Sequence, residues 1–254
     1  MRILAKGDVD LHIFNDTKAQ NPQVNKVLLT KATALLSISE TDQLQSISHP
    51  NVRRQFIISR AWLRLTLSSY CSVHPCDLHF LVTKHGRPEI SKTKAMPPLR
   101  FNLSHTSGML ALAVTNRNDI GIDIEWLGRK IDLTNMTNRF LAICEAQDVL
   151  KLGEEEQKKR FLTYWTLKEA YFKARGLGIT LSLKNVIFTF ANKEISVNFT
   201  SDIEDCHKNW QFSCLYPSLE HVLALAVKSS DTPMVASNNY VSNFETLLKN
   251  LHEI

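Results

Sequence analysis

The apolar run Met109-Leu110-Ala111-Leu112-Ala113-Val114 recurs in the second half of the chain as Val222-Leu223-Ala224-Leu225-Ala226-Val227. Runs this short cannot span a bilayer and suit buried strands. Each closes the same order of elements. In the first half, Phe56, Ile57, Ala61, Leu63, Leu65 and Leu67 recur with helical spacing over Val52–Tyr70. A hairpin-like turn follows at His85-Gly86-Arg87-Pro88, between Leu78–Thr83 and Glu89–Ser91, and then the run. In the second half, Phe161, Leu162, Tyr164, Trp165 and Phe172 predict a helix over 157–175 that stops at Gly176. A left-handed cap suits glycine there. Val186–Phe190 and Ile195–Phe199 read as two strands around Asn192-Lys193, and the second run follows.

The spacing thus predicts an α+β fold: a pseudo-dimer of two similar halves, each with a long helix on a small antiparallel sheet. A cleft between such halves is the expected place for a ligand. The join falls near Thr115–Asp119, dividing the chain into an N-terminal half (1–118), a C-terminal half (119–230) and a tail (231–254). Residues 1–15 read as a weak first strand, and 16–50 as short helices and loops. In the tail, Phe244, Leu247, Leu248 and Leu251 form a short amphipathic stretch expected to dock on the body.

Length and composition narrow the class. A chain of 254 residues, 44% hydrophobic and 22% charged, can bury a sizeable core. The net charge of +5 admits an anionic partner without naming one. Five cysteines, an odd number with no CxxC spacing, argue against a disulfide framework or a zinc site. The N-terminus is charged too early for a signal-peptide core. A soluble cytoplasmic protein is expected, with no membrane association.

Two constellations bear chemistry. Asp123 and Glu125 lie two apart in Ile120-Gly121-Ile122-Asp123-Ile124-Glu125. In a strand both carboxylates then share one face, and Ile122 and Ile124 the other. Side by side they repel unless a cation or proton lies between them; hard oxygen donors of this kind suit magnesium. A solvated acidic edge fits the same pattern. Glu169 and Lys173 form an i, i+4 pair among Tyr164, Trp165, Tyr171 and Phe172. That pair is either a surface salt bridge or the lining of a cleft, with Glu169 as metal ligand or base and Lys173 holding a phosphate.

Ser104 and His105 are neighbours in Phe101–Gly108. Adjacent residues of an extended segment point opposite ways, so they do not make a nucleophile and its base. Donors there could bind an anion or simply turn the chain into the strand. Arg87 is either a turn residue or a guanidinium for a phosphate or a base; Arg53, Arg54 and Arg60 are a solvated helix face or part of an anion site. No Walker A loop, GxGxxG or nucleic-acid-binding signature occurs, and the Lys and Arg residues are dispersed. Nucleic-acid binding is unsupported.

Taken in order, these segments resemble the 4′-phosphopantetheinyl transferases, specifically the monomeric surfactin-synthetase-activating type. The match covers roughly residues 50–180: Gly86-Arg87-Pro88, Phe101–His105, Gly121–Glu125, and the helix carrying Trp165, Lys168, Glu169 and Lys173. The resemblance implies a magnesium-dependent transfer of phosphopantetheine from coenzyme A to a serine of an apo acyl or peptidyl carrier protein. It implies Asp123, Glu125 and Glu169 as metal ligands, and Glu169 and Lys173 as catalytic residues. Contacts to coenzyme A are implied for Arg54, Arg87, Pro88, Ser104, His105, Asp123, Lys168 and Lys173. With both halves in one chain, a monomer suffices. Arg87 stands where many relatives have lysine. Two other readings compete: a non-catalytic coenzyme A or nucleotide binder, and a metal-dependent phosphohydrolase.

Overall fold

The computed structural model describes residues 2–5, 7–16, 22–83, 86–91, 98–116, 118–176, 182–191, 194–228 and 235–243, with Thr246 and Lys249. It is a mixed α+β structure. Strand β1 (Asp8–Asn15) leads into helices α1 (Pro22–Thr33), α2 (Ile38–Ser46) and α3 (Pro50–Cys71). Short strands β2 (Phe80–Val82) and β3 (Pro88–Ile90) follow, then β4 (Leu99–Thr106), β5 (Met109–Asn116) and β6 (Ile120–Trp126). Helices α4 (Leu133–Phe140), α5 (Ile143–Leu150) and α6 (Glu154–Arg175) come next. The chain continues through β7 (Val186–Ala191), β8 (Glu194–Phe199), β9 (Trp210–Ser218), β10 (His221–Lys228) and β11 (Val235–Ser242).

Four strands pair in the order β11-β1-β5-β4, and three in the order β6-β10-β9. The two apolar runs, β5 and β10, lie inside these sheets and are buried on both faces. Leu110, Leu112 and Val114 of β5 meet Ile58, Ala61, Trp62 and Leu67 of α3. Val222, Ala224 and Ala226 of β10 meet Phe161, Leu162, Leu167 and Ala170 of α6. Their alternate residues, Met109, Ala111 and Ala113 with Leu223, Leu225 and Val227, join Ile120, Ile122 and Ile124 in a third cluster. Period-2 alternation sends successive side chains to opposite faces. A strand covered on both faces therefore reads as an unbroken apolar run.

Helix ends follow local chemistry. Ser37 and Glu40 form a capping box on α2. Pro50 opens α3, where a missing N–H costs nothing. Three glutamates fill the first turn of α6, Lys173 and Arg175 the last, and Gly176 ends it at φ 63°. Helices α4 and α5 are only eight residues each, too short for an apolar period to announce them. Strand β11, of sequence Val-Ala-Ser-Asn-Asn-Tyr-Val-Ser, has no clean alternation. It pairs in parallel with β1, so this part of the tail extends the first sheet. Phe244, Leu247, Leu248 and Leu251 lie outside the described residues, as does His85. Among the described residues no helix is long and apolar enough to cross a membrane.

Candidate active site

Strand β6 turns Ile120, Ile122 and Ile124 into the third cluster. Its opposite face carries Gly121, Asp123 and Glu125, and α6 lies on it. A Cβ at Gly121 would fall 1.9 Å from the Ala170 carbonyl oxygen and 2.4 Å from the Ala174 nitrogen. Glycine here lets helix and strand backbones touch, which sets Glu169 and Lys173 beside the strand carboxylates.

Strand β4 closes the site from the first sheet. Alternate residues of β4 stitch it to β6 through side chains. The Ile122 N–H donates to Asn102 Oδ1 at 2.8 Å, Ser104 Oγ donates to Asp123 Oδ1 at 2.8 Å, and the Trp126 N–H donates to Thr106 Oγ1 at 3.1 Å. Ser104 is buried and His105 exposed, so the neighbours do point apart. The Lys173 ammonium donates to Asp123 Oδ1 at 2.6 Å and to Ser104 Oγ at 2.9 Å. Lys173 thus pairs across the cleft with Asp123.

The remaining acceptors are the ones a cation would need. Asp123 Oδ2 and Glu169 Oε1 are buried without a hydrogen-bond partner. Such acceptors are costly unless a proton or cation reaches them. Burial, then the Asp123 charge, pushes the Glu169 carboxyl up to about 7, against the pull of Lys173. The orphaned oxygens and their hard donor chemistry fit a divalent cation. Glu125 instead accepts from Arg129 at 2.6 Å, and burial raises its pKa. Among the described residues no three His, Cys, Asp or Glu side chains close into a metal-sized cluster. The Asp123–Glu125–Glu169 set is therefore not preassembled: Glu125 is turned to Arg129, and Lys173 holds Asp123 Oδ1.

A cleft of about 500 Å³ opens over this arrangement. Pro88, Ser104, His105, Asp123, Glu125 and Lys173 line it, together with Phe56 and Arg60 of α3. Arg60 is the α3 arginine in the cleft; Arg54 is not. Arg54 makes a two-point pair with Asp16, at 2.8 and 3.2 Å. The signal lay in the sequence: residues three and four apart share a helix face. That rule puts Val52, Phe56 and Arg60 together and Arg54 elsewhere. Arg53 donates to the carbonyls of Leu44 and Ile47 at the end of α2.

Two further expectations are corrected. The Lys168 side chain is wholly buried and cannot touch a ligand in the cleft. Its ammonium pairs with Glu145 at 2.6 Å and donates to the Leu183 and Val186 carbonyls. One residue is 100° around a helix, enough to turn Lys168 away from the face of Glu169. The Arg87 guanidinium also points inward, onto the Lys173, Ala174, Phe101 and Ile120 carbonyls. Its neighbour Pro88 does face the cleft. A separate cavity of about 420 Å³, lined by Glu156, Lys159, Arg160, Phe190 and Tyr216, has a single carboxylate and no carboxylate pair.

The model of the 4′-phosphopantetheinyl transferase superfamily matches residues 119–226. The chain is 36% identical over 151 residues to 4′-phosphopantetheinyl transferase HetI of Nostoc sp. strain PCC 7120, covering 59% of this chain and 64% of HetI. It therefore spans just under two thirds of that relative's length. Against 4′-phosphopantetheinyl transferase AcpT of Salmonella typhimurium it is 30% identical over 153 residues, covering 59% of this chain and 74% of AcpT. A crystal structure of a holo-(acyl-carrier-protein) synthase from Bacillus anthracis in complex with CoA (3′,5′-ADP) shares 25% identity over 44% of this chain and 96% of that one, at TM-score 0.38. The matched region contains the strand of Asp123 and Glu125 and the helix of Glu169 and Lys173, and the chain belongs to the 4′-phosphopantetheinyl transferase superfamily.

Proposed function

We propose that this chain transfers the 4′-phosphopantetheine group of coenzyme A to a serine hydroxyl of an apo acyl or peptidyl carrier protein, releasing 3′,5′-ADP. The observation that carries the reading is the juxtaposition of two orphaned carboxylate oxygens, on Asp123 and Glu169, with the Lys173 ammonium, beside a cleft that Asp123 and Lys173 line. Family membership and the relatives' names support it.

Coenzyme A lies in the cleft, contacted by Pro88, Ser104, His105 and Lys173, with Arg60 in place of Arg54 as the α3 cation. Asp123 and Glu169, with Glu125, are the residues that would hold magnesium, and a cation held there would supply charge neutralisation and orientation for the pyrophosphate. Glu169, as the carboxylate, takes the proton of the attacking serine hydroxyl. The serine Oγ–phosphorus bond forms as the bond to the 3′,5′-ADP leaving group breaks. Lys173, now facing phosphate oxygens, stabilises charge on the transferring group. The mildly basic surface favours encounter with an acidic carrier.

We also read the chain as a monomeric pseudo-dimer, with 1–118 and 119–230 as its halves and 231–254 as a C-terminal tail whose strand β11 returns to the first sheet. Supporting this, α3 and α6 are each 22 residues long and each packs on a sheet with an apolar run at its middle. Incubation of apo carrier proteins with coenzyme A and magnesium tests the function by intact-mass spectrometry. A gain of one phosphopantetheine is expected. No shift in any carrier, with coenzyme A binding intact, leaves a binding protein instead; phosphate release without an acceptor identifies a phosphohydrolase.

A further inference from the structure

The turn that carries Arg87 precedes the cleft, yet its guanidinium leaves the cleft to Pro88. Nη1 donates to the Lys173 carbonyl at 3.1 Å and the Ala174 carbonyl at 3.0 Å. Nη2 donates to the Phe101 carbonyl at 3.3 Å and the Ile120 carbonyl at 3.2 Å. These four acceptors come from the last turn of α6, from β4, and from the first residue of β6. No carboxylate lies within ion-pair distance of Arg87 among the described residues.

We propose that Arg87 is a positioning residue for the transfer, a clamp that fixes Lys173 and the end of α6 against β4 and β6. The proposal rests on the transferase reading above.

Three physical arguments support it. The last carbonyls of a helix have no partner within the helix and carry its negative dipole end. A guanidinium placed on them satisfies acceptors and is stabilised by the dipole. The Gly176 N–H also donates to the Lys173 carbonyl, and the Arg87 Cδ lies 3.8 Å from where a Gly176 Cβ would stand. Helix end, cap and guanidinium therefore form one packed unit. Second, all four Nη hydrogens have acceptors, and the fifth donor, the Nε–H, is buried without a partner, so the fork presents no exposed donor to an incoming phosphate. Third, the clamp holds the backbone of Lys173 itself. The ammonium of that residue reaches Asp123 and Ser104, the carboxylate and hydroxyl that bridge β6 and β4. A shift of the end of α6 moves the ammonium away from both, and displacements near 1 Å are enough to cost about 10²-fold in rate.

Lysine at this position presents three donors from a point charge and cannot serve four carbonyls in one plane. Arg87→Lys and Arg87→Ala are to be compared with wild type in carrier-transfer kinetics, with 3′,5′-ADP and coenzyme A affinity measured by calorimetry. The clamp predicts affinities within about threefold of wild type, kcat at least tenfold lower, and recovery of part of the Arg87→Ala rate by added guanidinium ion. A tenfold loss of affinity, or a kcat within threefold of wild type, overturns it. If the variants do not fold, nitrogen NMR of the wild-type Arg87 side chain decides. Nη signals that are protected from exchange and unmoved by coenzyme A support the clamp; signals that shift on binding make Arg87 a ligand contact. Failure of wild type to modify any carrier would overturn the transferase reading alone, since the affinity and NMR measurements do not depend on turnover.

Discussion

Lys173 reaches across from helix α6 to Asp123 on strand β6, its ammonium 2.6 Å from Oδ1, while Asp123 Oδ2 is left buried and unpartnered. The same carboxylate thus has one oxygen neutralised and one open. Glu169, one turn before Lys173, contributes a second orphaned oxygen. The site's chemistry follows from this unequal use of two carboxylates.

Glu169→Gln keeps the shape but removes the base. Transfer to the carrier should fall by about 10²- to 10⁴-fold, the range for loss of a positioned proton acceptor. Coenzyme A affinity without metal should hold. Single-turnover mass spectrometry separates the two; near-normal turnover in this variant would remove Glu169 from the base role.

Magnesium binding should strengthen as pH rises from 6 to 8, because a cation competes with the proton on Glu169, whose pKa lies at about 7. The linkage to folding has the opposite sign. The folded pKa stands above the ordinary 4.5, so the contribution to stability is present below that value and is lost as pH rises through about 7. Without metal, Glu169→Gln should therefore raise the melting temperature at pH 8 and leave it nearly unchanged at pH 5. Calorimetric titration and thermal scans at the two pH values check both parts.

Gly121→Ala places a methyl 1.9 Å from the Ala170 carbonyl oxygen. Backbone must yield, at a cost of about 1–3 kcal/mol or more. Urea unfolding should show the loss, together with weaker magnesium binding as α6 lifts from β6. Wild-type stability in this variant would mean that the helix does not rest on the strand at this point.

Lys168→Met removes one partner of a buried ion pair and leaves Glu145 facing its remaining donors, the Ala142 and Phe188 N–H groups. Destabilisation of about 3–5 kcal/mol is expected. Replacing Glu145 as well, in Lys168→Met/Glu145→Gln, should recover part of it. Coenzyme A affinity of the folded fraction should match wild type; a selective loss of affinity would return Lys168 to the cleft.

His12 is a third pH-sensitive group, remote from the cleft. Burial, then the charge of Arg2, holds its imidazole down to about 3, and its Nε2 lies 2.7 Å from the Tyr70 hydroxyl. A depressed folded pKa favours the fold above the ordinary value of 6.5 and withdraws that support as pH falls towards 3. Urea midpoints between pH 7 and 4 should decline in wild type and decline less steeply in His12→Asn.

Much of this molecule is legible in its residues. Two unbroken apolar runs announced strands buried on both faces, and the helical periods over Val52–Tyr70 and 157–175 announced α3 and α6. The two-residue spacing of Asp123 and Glu125 put both on one face of β6. Helices α4 and α5 were not legible because eight residues, about two turns, are too few for a period to stand out, and β11 was not because its sequence does not alternate and its place is set by pairing with β1. The partners of three cations were decided by the tertiary structure. Arg54, Arg87 and Lys168 look like ligands for an anion in the sequence, yet each is engaged by acceptors from distant segments: Asp16 for Arg54, four carbonyls for Arg87, Glu145 with two carbonyls for Lys168. Motif spacing sets which side chains are available at a site. Which way a long cationic side chain turns is decided by where folding leaves unpaired oxygens, and backbone carbonyls, present at every residue, leave no mark in a sequence.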